Sequence, residues 1–196
     1  PLPQVTTALL NYVRQTELNL RPTVYIYQLL LELFAYPLDQ YRFGDLGKEF
    51  EEHVNLYPPV EALSVLQLLV NYSYWQYGRR EVQFRPIIFD LYEMGVTHKL
   101  WIKFGGISDT SFTNVVTVAT ANQRYDWAVQ FIAAYKDLII GPRRHDAAQF
   151  ALASVYYRKQ DFAAAISCLD SVNFNNFSYQ IRARSAAIRD LSRAEL

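Results

Sequence analysis

Two segments of the chain match each other 37 residues apart, and this self-similarity limits the possible folds more than composition does. Setting Tyr125 on Phe162 puts Ala128 on Ala165, Val129 on Ile166 and Ile132 on Leu169. The same shift upstream puts Val115 on Leu152, Val116 on Ala153 and Ala119 on Tyr156. A period of this size marks one supersecondary unit used more than once. Small residues facing large aromatics fit two helices in close contact, one presenting Ala where the other fills the gap.

The rest of the chain is helical in its periodicity. Residues 4–18 space Val5, Leu9, Tyr12 and Val13 for one face. Pro22 suits the first turn of a helix over 22–36, where its missing donor costs nothing. That helix is apolar almost all round, with Gln28 and Glu32 as a narrow polar stripe, so it belongs between neighbours. Further helices are predicted over 45–56, 60–77 and 81–94, the last stopped at Gly95. Residues 96–108 read as an irregular connection, with a turn at Gly105-Gly106 and a helix cap at Ser108 or Asp109. Five more helices fit near 109–122, 125–138, 145–159, 161–172 and 177–192. Residues 111–120 are rich in β-branched side chains but do not alternate, so no strand is predicted. The expected fold is therefore all-α: about ten helices paired as antiparallel hairpins and stacked into a right-handed α-solenoid. Residues 1–95 would be degenerate hairpin repeats, 96–108 a connecting loop, and 109–196 the regular repeats, packed as one continuous array.

Composition closes off several classes. Hydrophobic residues make up 51% of the 196, and 19 basic groups balance 19 acidic ones, which excludes a disordered chain. The same balance argues against nucleic acid as a partner for the surface as a whole. One cysteine, Cys168, excludes an intrachain disulfide framework and a multi-cysteine zinc site. The longest uncharged run, Ala62 to Gly78, places Ser64, Gln67 and Asn71 on one helical face. It reads as an amphipathic helix in water and not as a membrane anchor. The unusual feature is 15 Tyr, 12 Phe and 3 Trp in so neutral a chain.

Residues 146–176 resemble a tetratricopeptide repeat. Leu152-Ala153 and Tyr156 stand where that family has its helix A pattern; Phe162, Ala165 and Leu169 stand where it has helix B. Gln160 replaces the usual turn glycine, and the closing proline is missing. Residues 110–139 are a weaker copy, and 177–191 look like helix A of a third. As a whole the chain is similar to uncharacterised bacterial helical-repeat proteins with segments like ALLNY, YDWA and FALASVYY. The sequence stops where helix B of a further repeat should begin, so 177–192 is either a cap or a point of truncation, and truncation is the expectation.

The resemblance implies a partner-binding groove lined by helix A. Its positions map to Thr113, Thr117, Thr120 and Ala121 in one repeat and to Phe150, Ser154, Tyr157 and Arg158 in the next. Thr and Ser stand where the family's carboxylate clamp has Lys and Asn, which argues against capture of a C-terminal peptide by that device.

No catalytic constellation emerges. His53, His98 and His145 have no second ligand at metal spacing, so no metal or cofactor is expected. Cys168 reads as a half-buried helix residue, and Glu49, Glu52 and His53 as one solvated face. FGGIS (104–108) lacks the lysine and glycine spacing of a phosphate loop. Arg143, Arg144, Arg182, Arg184, Arg189 and Arg193 are mixed with Asp190 and Glu195 and fit solvated helices. The expected function is a non-enzymatic scaffold or interaction module in the cytoplasm, binding a protein or peptide. Three alternatives stand beside it: single-strand nucleic-acid binding through those arginines and the tyrosines, a pocket-bearing enzyme fragment, and self-association into a homo-oligomer.

Overall fold

Proline or a short polar cap starts four of the helices, those opening at Pro22, Pro59, Asp109 and Phe162. The computed structural model of this 196-residue chain describes residues 2–16, 18–35 and 40–172. In chain order these form α1 (Leu2–Gln15), α2 (Pro22–Ala35), α3 (Gln40–His53), α4 (Pro59–Gly78) and α5 (Phe84–Thr97). There follow β1 (Ile107–Ser108), α6 (Asp109–Ala121), α7 (Tyr125–Tyr135), β2 (Ile139–Ile140), α8 (Arg144–Arg158) and α9 (Phe162–Asp170). Short 3-10 turns occupy Leu18–Leu20, Val54–Leu56 and Lys136–Leu138. The described residues are thus mostly helical, as the periodicity requires; the helix expected at 177–192 lies outside them.

Pro22 and Pro59 each open a helix at its first position, where no amide donor is needed. Ser108 Oγ accepts from the Ser111 amide at 3.0 Å and starts α6. Asp161 Oδ1 accepts from the Ala164 amide at 3.1 Å and starts α9. Gly95 does not stop α5: it is buried inside the helix, which ends at Thr97 with Lys99 in the left-handed region at φ 56°. The turn falls on a lysine because Leu100 N–H closes back on the Gly95 carbonyl at 2.8 Å.

The chain divides into two compact units, Pro1–Leu100 and Trp101–Leu196. In the first, α2 packs on α1 and α3, and α4 on α5. Aromatic rings fill the contacts. Phe43 stacks on Tyr72 with centroids 5.2 Å apart and meets Phe84 at 5.4 Å, tying α3, α4 and α5 together. Tyr57 packs edge-on against Phe50 and Tyr27. The Tyr27 hydroxyl donates to Glu61 at 2.6 Å; burial, then that bond, push its pKa up to about 12. Burial also raises Tyr57 and Tyr92, so these phenols stay neutral. The polar stripe of α2 is not open to water. Glu32 and Gln28 are buried, Arg14 of α1 donates to Glu32 at 2.6 Å, and Gln28 donates to the same oxygen at 3.0 Å.

In the second unit, α6 packs on α7 and α8, α7 on α8, and α8 on α9. Trp127, Phe131 and Tyr135 stack along one face of α7, and Phe112 of α6 meets Phe131 at 5.2 Å. Ala119, Ala128, Ala147 and Ala151 are buried at the helix contacts, as is Ala165. The 37-residue shift reappears in the backbone. Gln123 (φ 60°) and Gln160 (φ 65°) hold matching left-handed turns. Around them Asn122 N–H bonds Val118, Gln123 bonds Thr120 and Arg124 bonds Ala119. One shift on, Lys159 bonds Val155, Gln160 bonds Tyr157 and Asp161 bonds Tyr156.

Two expectations are corrected here. A strand pair does exist: Ile107 pairs with Ile139 and Ser108 with Ile140, in parallel. It escaped periodicity because two residues per strand carry no alternation. It forms because Gly106 lets the chain approach; a Cβ there would collide with Ile140 and come within 2.7 Å of the Leu138 carbonyl. Second, Phe162 does not fill a gap beside Ala165. Ala165 is buried, but Phe162 is 54% exposed, because it stands on the first turn of α9 with its ring edge-on to Tyr157 at 5.6 Å.

Gln123→Gly and Gln160→Gly should each stabilise the fold by about 1 kcal/mol by removing a left-handed side chain. Thermal unfolding should show a rise of roughly 2–4 °C for each. Gly106→Ala should do the reverse, costing about 1–3 kcal/mol, and a midpoint unchanged in calorimetry would contradict the close approach.

Candidate functional site

The residues mapped to a groove lie on α6 and α8, which the second unit sets side by side. Their starts are joined by the β1–β2 pair and by Arg143, whose guanidinium meets the Asp109 carboxylate at 2.8 Å. Beyond the far end of α6, Asp126 in the first turn of α7 meets Lys159, which caps the end of α8, at 3.2 Å. The two helices therefore run in the same sense.

On α6 the threonines do share a face, but burial splits them. Thr113 and Thr120 are buried, and Thr117 is exposed. Each hydroxyl donates to the carbonyl four residues back: Thr113 to Asp109 at 2.9 Å, Thr117 to Thr113 at 2.7 Å, Thr120 to Val116 at 2.9 Å. A hydroxyl has one proton, so toward a partner Thr117 acts as an acceptor. The exposed stripe of α6 is Thr110, Asn114, Thr117 and Ala121, at i, i+4, i+7 and i+11. Asn114 is the residue that the family mapping missed; a helical wheel centred on Thr117 and Ala121 would have found it.

On α8, Phe150 and Ser154 are half-buried, while Tyr157 and Arg158 are exposed. Ser154 donates its hydroxyl to the Phe150 carbonyl at 2.9 Å, again leaving an acceptor outward. The Tyr157 ring, held edge-on by Phe162, is the largest rigid contact offered on this helix. The 37-residue shift sets Thr113 on Phe150, Thr117 on Ser154 and Thr120 on Tyr157. Equivalent positions thus stand in unequal surroundings: α6 turns two of its three inward, and α8 turns none fully inward.

The side chains on these faces offer hydroxyl acceptors, an amide, aromatic rings and one guanidinium. Burial pushes the Cys168 thiol up, away from the thiolate that a nucleophile needs. Arg143 is committed to Asp109, and Arg144 donates to the Ile139 carbonyl at 3.0 Å, so both arginines serve the fold. The arginines at 182, 184, 189 and 193 lie outside the described residues. The potential ligand atoms of Glu49, Glu52 and His53 lie within 4.8 Å of one another on α3, so His53 does have carboxylates at ligand spacing, which corrects the expectation that it has none. His53 Nδ1 there sits 3.0 Å from the Glu49 carbonyl and 3.3 Å from its carboxylate. His98 Nε2 lies 3.9 Å from Glu51, and His145 is exposed at the start of α8.

Among the described residues, no helix is long and apolar enough to cross a membrane. No family model matches the chain, nor does any curated protein or any solved structure.

Proposed function

We propose that the chain is a non-enzymatic interaction module, a right-handed solenoid of tetratricopeptide-like helix hairpins that binds a protein or peptide segment in the cytoplasm. The observation that carries this reading is the repeated turn: Gln123 and Gln160 share one left-handed geometry and one hydrogen-bond pattern at the period of the sequence repeat. Repeats of this kind stack their first helices side by side, and the packing of α6 against α8 supports the reading. Stacked first helices present a continuous surface, on which partners rest.

The partner surface comprises Asn114 and Thr117 on α6 with Phe150, Ser154, Tyr157 and Arg158 on α8. Its chemistry defines the ligand. The outward lone pairs of Thr117 and Ser154 accept hydrogen bonds from a partner's amides. Asn114 supplies both donor and acceptor. Tyr157 and Phe150 receive an apolar side chain, and Arg158 receives a carboxylate. A segment with one large apolar residue next to an acidic one fits this order.

The test is a peptide array probed with the full-length chain and with a Tyr157→Ala, Arg158→Ala double variant. Acidic–apolar peptides should be retained by the parent chain and weakened at least tenfold by the double variant, since each such anchor is worth about 1–3 kcal/mol. Tyr74→Ala, outside the proposed surface, should leave retention unchanged. Equal retention by parent and double variant removes the reading. Steeply salt-dependent binding to single-stranded nucleic acid, with no peptide retained, would replace it with the electrostatic alternative.

A further inference from the structure

The longest described helix, α4, leaves a full stripe uncovered. Eight of its exposed residues form it, Val60, Ser64, Gln67, Leu68, Asn71, Tyr74, Trp75 and Gly78, with Pro59 and Tyr77 exposed beside them. Val60 is 75% exposed, Trp75 46%, Tyr74 44% and Leu68 40%. Not one of the eight carries a charge, over a length of about 27 Å. The spacing 60, 64, 67, 71, 74, 78 alternates four and three, which is the seam of a coiled coil, with Leu68 and Trp75 along one edge.

We propose that this stripe pairs with the same stripe of a second copy of the chain, as an antiparallel two-fold helix pair. The self-complementarity lies in the order of the residues. In the antiparallel register natural to such a seam, Val60 meets Gly78 of the second copy, Ser64 meets Tyr74, and Gln67 meets Asn71. A large residue faces a small one at both ends, and two amides that pair by hydrogen bonds meet near the middle. A side-chain carbon added at Gly78 would touch nothing within 4 Å in the single chain, so room for Val60 is present. Leu68 falls near the two-fold axis, beside its own copy.

Charge decides the occupant. The two ends of the stripe are opposite in sign, with Glu61 at the start and Arg79 and Arg80 just past the end. Antiparallel pairing puts Glu61 between Trp75 and Arg79 of the second copy. The Arg79 guanidinium already sits over the Trp75 ring, 4.8 Å from its centroid, and so is held where that carboxylate arrives. Tyr74 is fixed likewise by its hydrogen bond with Tyr92. A parallel pair would set like charges together and lose these contacts. A strip about 27 Å by about 10 Å is smaller than a permanent interface, which buries at least ~1,200 Å². The dimer is therefore weak and concentration-dependent.

Sedimentation velocity of the full chain, from low-micromolar to near-millimolar concentration, should show a monomer–dimer equilibrium. Glu61→Lys and Arg79→Glu should each weaken it about tenfold or more, by placing like charges at both ends of the pair. Mixing these two variants should restore the dimer, because every end contact is then again opposite in sign. Gly78→Leu, whose Cβ meets nothing within 4 Å in the single chain, should abolish the dimer while the thermal midpoint holds. In a Cys168→Ser background, Leu68→Cys should cross-link on mild oxidation and Gln83→Cys should not. A chain that stays monomeric throughout gives the stripe to some other partner and overturns the proposal. A dimer that ignores Gly78→Leu, or that mixing does not restore, uses another face and overturns it equally.

Discussion

Two glutamines in the left-handed region set the geometry on which the second unit depends. After α6 and after α8 the chain must reverse within three residues, and only a positive φ allows the last carbonyls of the helix to be met at once. Glycine does this without cost; Gln123 and Gln160 do it at about 1 kcal/mol or somewhat more each. What holds them there is the packing beyond the turn. Ala128 and Ala165, near the starts of α7 and α9, are buried. Such close seating is available to alanine and to little else, so the turn and the small residue that follows it act together. The backbone accepts strain because the helix contact it permits is tight.

The first unit has left-handed turns too, at Arg80 and Lys99, but fills its helix contacts differently. Its interfaces are filled by rings: Phe43, Tyr72 and Phe84 in one cluster, and Phe50, Tyr57 and Tyr27 in another. Bulky rings hold helices further apart than alanine does, and their hydroxyls must find acceptors. Tyr57 donates to the Thr23 carbonyl at 3.3 Å and Gln76 donates to the Tyr72 oxygen at 2.6 Å. Glu32 belongs to the same account. Buried between α1 and α2, it would be costly alone, and Arg14 and Gln28 together make it tolerable. Such a polar contact favours one pairing of α1 on α2 over slipped alternatives, which purely apolar faces would not do.

This difference explains what the sequence disclosed. Helix positions were legible because period and caps are local: Pro22, Pro59, Ser108 and Asp161 each start a helix by chemistry confined to four residues. The 37-residue match was legible in the second unit, where alanines mark close contacts; the ring-filled contacts of the first unit leave no such spacing, since a ring tolerates many neighbours. The β1–β2 pair was hidden because its cause, the bare backbone at Gly106 against Leu138 and Ile140, lies 32 residues away along the chain. On the candidate surface, Tyr157 and Arg158 are exposed, whereas Thr113 and Thr120 are buried. A threonine that bonds its own helix is equally content inside or out, so its type says nothing about its side. Asn114, which has no such easy home inside, was the better signal.

The aromatic excess divides along the same line. Rings such as Phe50, Phe84 and Phe112 are wholly buried and account for packing. Tyr74 and Trp75 are nearly half exposed, although Tyr74 bonds Tyr92 and Trp75 meets Tyr72 and Arg79 within the chain. An exposed apolar stripe costs solubility unless it is diluted, and on α4 the dilution is specific: Ser64, Gln67 and Asn71 interrupt Val60, Leu68, Tyr74 and Trp75 so that no two turns are apolar throughout. At about 25 cal/mol per Å², covering such a mixed strip offsets the loss of freedom of two free chains only narrowly. Had the three polar residues been leucine, the face would be permanently covered or insoluble. Had Trp75 and Tyr74 been lysine, it would be inert. The composition of α4 thus holds the surface at the point where contact is reversible, and reversibility is the property that a stable core never needs.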